Sequence, residues 1–586
     1  MHVLATAGHV DHGKSTLLRA LTGMEPDRLA EERRRGLSID LGFVWTDIDG
    51  DQVAFVDVPG HERFVTTMLA GVGPVPAVLF VVAADGGWMP QSAEHLAALD
   101  ALDVRHGVLA VTRSDLADPG PARERALAEI AATSLGRVPC VEVAAPSGQG
   151  IAALRRALAT LVSRLPAPDD SAPVRLWVDR SFSVSGAGTV VTGTLAAGVI
   201  RTGDALVLEP DSRPVRVRAL QCAGRPQNEV RGTSRVAVNL RGVAARDLRR
   251  GAALVAPGAW TATAEIDVRL HAEPDAGLPG QAVLHVGSAA VAARLRPLGG
   301  GVLRLRLGRV LPWHVGDRGL LREPGTRTLV GAVTALDVRP PALTRRGAAA
   351  DHARRLAATA ALPGATDEIR RRTFVRERDL VAAGLRPPGR PVAGGWYADP
   401  AAVTRLAGDL RAAVADWMTA KPLDGGLPAD VARRRLHLPD AVLVDVIRQA
   451  AGLTAADGRI LPPAADLPAA LRAAVDAVLA DLADAPFSAP DAERLAGLGL
   501  GSREIAAAVR AGSLLRVADG IVLAPGADRR AAATLARLPQ PVTVSAARQA
   551  LATTRRVAVP LLELLDSRRL TRRLPDDRRE VLAPVE

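Results

Sequence analysis

Residues 8–15 read GHVDHGKS, which fits G-x-x-x-x-G-K-[ST] between an apolar run, HVLATAG, and an amphipathic stretch, STLLRALTG. Glycines at 8 and 13 let the backbone wrap an anion with its N–H groups turned inward, the geometry that cradles nucleotide phosphates. All but two of the 74 basic residues of this chain are arginine, and Lys14 is one of the two lysines. A compact ammonium fits between the β- and γ-phosphates, where the wide planar fork of arginine does not. Ser15 offers a hydroxyl to Mg²⁺, and Asp11, His12 and Thr16 complete the phosphate-binding segment. In VAFVDVPGHERF (53–64) the apolar run closes on Asp57, a carboxylate placed for the shell of the same ion. Gly60 admits backbone close to a γ-phosphate, and His61 stands where a side chain can orient an attacking water.

Two further segments complete a nucleotide site. VTRSD closes another apolar run, and Asp115 can accept two hydrogen bonds from a guanine edge. AAPSG (144–148) follows the next run, with Ala145 set to complete the base pocket. Such runs, continuous in Val, Ala and Leu and alternating with helical patterns, describe a parallel α/β sheet covered on both faces. This domain is predicted over 1–168 and ends at the Pro-rich linker RLPAPDDSAP.

Beyond it the pattern changes twice. Short Val-rich runs with Gly turns predict two β-barrels, at 174–257 and 258–342. From about 345 the chain is Ala- and Arg-rich, and amphipathic helices are each followed by a short hairpin. The turns fall at Gly394-Gly395, Asp457-Gly458, Asp519-Gly520 and Asp576-Asp577. That repeat predicts an array of four winged-helix units, at 345–430, 431–485, 486–530 and 531–586.

Composition sets the wider limits. At 586 residues the chain exceeds a single core, and 74 basic against 63 acidic residues give a net charge of +11, compatible with a polyanionic partner. Cys140 and Cys222 lie too far apart in sequence to form a metal-ligand cluster and are expected to be buried thiols. Neither a signal peptide nor an apolar run of membrane-spanning length is present, so a cytoplasmic monomer that touches no membrane is expected.

The order GHVDHGKST, RRRGLSID, DVPGH, TRSD resembles the translational GTPases over residues 1–165. The resemblance implies GTP/GDP as the nucleotide and Mg²⁺ held by Ser15, Ser38 and Asp57. Ser38 stands where the family has Thr, which keeps the hydroxyl. Thr112-Arg113 replace the family's Asn-Lys pair before Asp115, leaving guanine selection to lean on Asp115, with Arg113 as a stacking stem. Val10 and Leu37 match the hydrophobic gate that keeps His61 from the water until the ribosome engages.

VDRSFSVSGAGTVVTGTLAAGVIRTGD (178–204) looks like the barrel on which aminoacyl-tRNA docks, and the long C-terminal array is similar to that of the selenocysteine-specific elongation factors. This likeness implies delivery of selenocysteyl-tRNA to a ribosome paused at a recoded UGA, with the winged helices holding an mRNA hairpin. Asp179, Arg180 and Arg235 match the pocket that reads the ionised selenol. Residues 531–586 hold 10 Arg against 6 acidic residues, and Arg555, Arg556, Arg572 and Arg573 are placed to grip phosphate. Two other functions share these front domains: delivery of ordinary tRNAs, as by elongation factor Tu, and service as the GTPase subunit of ATP sulfurylase. The C-terminal array argues against both.

Overall fold

The computed structural model describes residues 1–26, 38–61, 64–73, 75–186, 188–271, 277–325, 329–358, 362–421, 424–462 and 467–582. Chain contacts divide it into two compact units, 1–390 and 391–586.

The first unit opens with six strands: β1 (His2–Ala7), β2 (Gly42–Ile48), β3 (Asp51–Asp57), β4 (Ala77–Ala83), β5 (His106–Thr112) and β6 (Cys140–Glu142). They lie in the order β2-β3-β1-β4-β5-β6, parallel except for β2, which runs antiparallel to β3. Alternate residues of each strand feed opposite faces. Val78, Phe80 and Val82 join one core, while Ala77, Leu79 and Val81 join the other. Every residue of β4 is buried, which explains its uninterrupted apolar sequence. Parallel strands send their loops to one edge, so the segments after β1, β3 and β5 converge there.

Two closed barrels follow. The first is a ring of Arg175–Trp177, Gly188–Leu195, Ser234–Arg241, Arg213–Cys222, Ala205–Glu209 and Ala253–Val255. The second closes through Thr261–His271, Val302–Trp313, Ala289–Gly299, Gln281–Val286, Arg318–Arg322 and Leu329–Asp337. Closure gives each ring strand a partner on both sides, while Arg180–Val184 and Arg225–Gln227 attach to the first ring by one neighbour each.

Helix Ala348–Ala357 does not belong to a winged unit, as the division at 345 expects. Its Ala353 and Leu356 share a core with Leu298, Val302 and Leu336 of the second barrel. A buried charge cluster reinforces the seam: Asp267 accepts from Arg304 at 2.7 and 3.0 Å and meets His352 Nε2 at 2.7 Å. Nearby Asp337 is held by Arg371 and Arg372. Asp267, Asp337 and His352 are close enough to share a cation, but guanidinium groups already neutralise both carboxylates.

In the second unit the helix-and-hairpin repeat sits in a different phase from the expected boundaries. Helix Pro400–Ala420 leads one unit, with Ala429–Arg435, Val442–Ala450 and the hairpin Thr454–Ala456/Arg459–Leu461. Helix Ala469–Asp484 leads the next and shares its core with the hairpin Leu515–Ala518/Ile521–Leu523. The last comprises Ala527–Ala536, Val544–Ala550, Arg555–Ser567 and the hairpin Thr571–Arg573/Arg579–Val581. The expected division at 430/431 therefore cuts a helix, and that at 485/486 detaches a leading helix from its own core. Each unit ends where its hairpin returns, because the wing covers the core that the preceding helices build. Among the described residues no helix is long and apolar enough to cross a membrane. Both cysteines are half-buried and unpaired, rather than fully buried as expected.

Candidate functional site

The segment after β1 folds as a cradle because its backbone takes left-handed conformations at Asp11 (φ 64°) and Gly13 (φ 77°). Gly8 is obligatory for a separate reason. A Cβ there would lie 2.1 Å from the Val81 carbonyl oxygen of β4. Helix Lys14–Thr22 starts at the cradle, so its first N–H groups face the anion. The Lys14 ammonium is buried and donates to the carbonyls of Gly8 (3.0 Å) and His9 (2.7 Å). A cavity of about 230 Å³ opens here, walled by Val10, Asp11, Gly13, Lys14, Ser15, Thr16, Ser38, Gly60 and Arg113.

Three oxygen donors converge at its floor. Ser15 Oγ donates to Asp57 Oδ2 at 2.7 Å and lies 3.1 Å from Ser38 Oγ. Asp57 is fully buried at the C-terminal end of β3, and its second oxygen accepts from Thr6 Oγ1 at 2.8 Å, which fixes the carboxylate plane. Two hydroxyls and an aimed carboxylate form the hard-oxygen set that suits Mg²⁺.

Gly60 packs against the cradle so closely that a Cβ would meet Val10 N at 2.5 Å and Lys14 Nζ at 2.6 Å. His61 follows it, half-buried, with its ring 6.1 Å from that of Phe64. Val10 is half-buried and donates its backbone N–H to Gln91 Oε1 at 3.2 Å. Leu37, the other expected gate residue, lies outside the described residues.

On the base side, Thr112 Oγ1 donates to the His12 carbonyl at 2.8 Å, tying the end of β5 to the cradle. Arg113 reaches Asp85 Oδ2 at 2.9 Å and the Asp11 carbonyl at 2.5 Å. Its guanidinium is thus anchored on the cradle. Asp115 is exposed just beyond β5, and Ala145 is half-buried in the turn after β6.

Sequence reasoning misses two supports from helix Pro90–Ala101. Gln91 and His95, four apart, share one face, and His95 Nδ1 accepts the Gly8 N–H at 3.1 Å. Burial, with the charge of Lys14 second, lowers the pKa of His95 to about 3, and burial lowers that of His12 to about 4. Both values lie below the unfolded one, so the native state resists protonation that the unfolded chain accepts. Stability is then full above about pH 6.5 and falls as pH drops toward these values, by up to about 1.4 kcal/mol per pH unit per site. Acid unfolding of the first unit is expected to be shallower in His95→Asn, whose Oδ1 can keep the Gly8 contact. An unchanged slope between pH 6.5 and 4.5 in pH-resolved thermal melts would contradict this.

The three residues expected to form the selenocysteine pocket do come together, but with carboxylates already in place. Asp179 is buried and held by both terminal nitrogens of Arg235, one at 2.7 Å. Arg180 Nε donates to Asp40 Oδ2 at 3.1 Å. Both guanidinium groups lie over the Phe43 ring, at 5.1 Å for Arg180 and 3.6 Å for Arg235. Arg250, which sequence reasoning does not single out, joins Asp40, Thr67 and the Asp179 carbonyl.

In the last winged unit Arg555 lines a cavity of about 390 Å³ with Thr543, Ser545, Arg548, Asp576, Asp577 and Arg578. Arg572 and Arg573 are exposed on the wing, paired with Glu580 and Asp577. Exposed pairs of this kind are worth little, so a phosphate can displace either partner. Arg556 differs from expectation: it donates to the carbonyls of Ala489 (3.3 Å) and Pro490 (3.0 Å), bracing this unit against the preceding one.

Comparison with known proteins matches residues 1–164 to the elongation factor Tu GTP binding domain and residues 533–579 to the winged helix of elongation factor SelB. The selenocysteine-specific elongation factor of Escherichia coli (strain K12) is 38% identical over 59% of this chain and 56% of its own length. The chain thus spans about half the length of that curated relative. Elongation factor Tu 2 of Streptomyces avermitilis is 30% identical over 57% of this chain and 96% of its own length. A solved bacterial selenocysteine-specific elongation factor, EF-Sec, shares the fold at a TM-score of 0.77 with 24% identity, covering 99% of this chain and all of that one. An elongation factor of the Tu type is covered almost end to end, and residues 533–579 add a match to the winged helix of SelB; the chain belongs to the translational GTPases.

Proposed function

We propose that this chain binds GTP and GDP with Mg²⁺, hydrolyses GTP, and delivers selenocysteyl-tRNA to the ribosome at recoded UGA codons while its last winged unit holds an mRNA hairpin. The observation that carries this reading is the pairing in one chain of an elongation factor Tu GTP-binding domain with a SelB winged helix. Ser15, Ser38 and Asp57 would hold the Mg²⁺, which supplies positive charge against the β- and γ-phosphates. The cradle N–H groups and Lys14 bind the same phosphates, and His61 orients the attacking water. Asp115 takes the guanine edge, with Ala145 behind it. Arg548, Arg555, Arg572, Arg573 and Arg578 offer the last unit's cationic contacts to an RNA backbone.

The physical task is to tell a selenol from a hydroxyl of nearly the same shape. A selenol is largely ionised at neutral pH and serine is not, so charge is the property to read. Among Arg180, Arg235, Arg250, Asp40 and Asp179 there are three guanidinium groups against two carboxylates, which leaves one positive charge for a monoanion. Selenocysteyl-tRNA is therefore expected to bind on the order of tenfold or more tighter than seryl-tRNA on the same tRNA body, about 1.4 kcal/mol. Equal affinities in a filter-binding comparison at pH 7.5 would remove the selenocysteine assignment and leave a GTPase for other tRNAs.

A further inference from the structure

Asp40 stands two residues after Ser38, whose hydroxyl lies in the oxygen set at the nucleotide site. Its carboxylate faces away from that set, toward the first barrel. There it accepts from Arg180 Nε at 3.1 Å and from Arg250. Arg180 also donates to the Leu41 carbonyl, one residue on. Arg250 in turn donates to Thr67 Oγ1 at 3.1 Å, on the helix that follows His61, and to the Asp179 carbonyl at 3.0 Å. One guanidinium thus touches both segments that flank the γ-phosphate position and the backbone of the residue that holds Arg235.

We propose that Asp40 is a positioning residue: it ties the segment carrying Ser38 to Arg180 and Arg250, so that the nucleotide site sets how these arginines face an aminoacyl group. The proposal rests on the GTP-dependent function given above. Two residues of extended chain span only about 7 Å, so a shift of Ser38 by a few ångströms moves Asp40 with it. The ion pairs are less than one-third exposed at every side chain, so solvent screens them less than surface pairs. The structure places Ser38 beside Ser15 and Asp40 on the arginines in one conformation, so the two contacts are compatible and adjacent. Coupling of this kind is reciprocal, and whatever the nucleotide does to the arginines, an occupant of the arginines does to the nucleotide.

Hydrogen exchange on the full chain reads this without any tRNA. With Mg²⁺ and a non-hydrolysable GTP analogue in place of GDP, amides of strand Arg180–Val184 in the unaltered protein are expected to gain about fivefold protection or more. In Asp40→Asn that response is expected to fall below about twofold, while the protection of residues 8–16 by nucleotide persists. Arg250→Gln, which cuts the same link from the barrel side, is expected to uncouple the strand alike, and Asp40→Glu to restore part of the response. Retention of the full strand response in Asp40→Asn overturns the proposal. So does a strand that ignores the nucleotide in the unaltered protein while residues 8–16 respond. If residues 8–16 gain no protection from either nucleotide, the GTP reading itself fails, and the proposal with it.

Discussion

Lys14→Arg is expected to weaken GTP binding on the order of 100-fold, about 2.7 kcal/mol, in a chain that stays folded. The substitution conserves charge, so the expected loss is one of shape. The ammonium is buried, its donors are satisfied by the carbonyls of Gly8 and His9, and a Cβ on Gly60 would come within 2.6 Å of Nζ. A planar guanidinium is wider in one dimension and must displace Gly60, Val10 or the cradle itself. Displacing the cradle lengthens every N–H contact to phosphate at once, which is why a conservative change carries so large an effect. Stability suffers less, because the helix behind the loop is held by Leu17, Leu18 and Leu21 in a core the substitution does not reach. Titration with a fluorescent GTP analogue measures the loss, and an affinity within threefold of the unaltered protein would show that charge alone suffices.

Legibility follows sequence distance. The cradle is legible because its conformation is set within eight consecutive residues, two of them glycines that take a positive φ, the first of which also clears the Val81 carbonyl. Asp57 and His61 are legible because a continuous apolar strand must end where the sheet edge meets the site. The two barrels are legible as many short Val-rich runs, although the long-range pairs that close them, Arg175–Trp177 with Ala253–Val255 and Thr261–His271 with Leu329–Asp337, leave no trace in the sequence. His95 and Gln91 support the cradle from more than 80 residues away, and Asp40 meets Arg250 across 210. No local pattern marks such contacts, because each is decided by how elements distant in sequence pack. The winged repeat shows its period in the turns, but its phase depends on which helix each hairpin covers. Helix Ala469–Asp484 answers that only through the core it enters. Arg556 illustrates the same limit in a chain so rich in arginine: a guanidinium that braces two units and one that grips RNA look alike until their partners are known.

His61→Ala is expected to leave GTP affinity within about threefold and to lower ribosome-stimulated hydrolysis by about 10²- to 10³-fold, the usual worth of a side chain that positions or takes a proton. The separation of the two effects follows from where the backbone is fixed. Gly60 is pinned by its approach to Val10 and Lys14, and the His61 carbonyl accepts the Phe64 N–H at 2.8 Å at the entry to helix Val65–Val72. Neither contact uses the imidazole, so removing the ring leaves the phosphate cradle and its oxygen set as they are. What is lost is a half-buried polar ring, packed edge-on against Phe64, that directly follows Gly60. His61→Gln separates the two ways in which the ring can act. An amide can still hold a water by hydrogen bonds but cannot take its proton. If orientation is the task, glutamine recovers more than about tenfold of what alanine loses; if proton transfer is the task, the two variants are equally slow. Stimulated turnover of His61→Ala equal to that of the unaltered protein would assign the water to another group altogether.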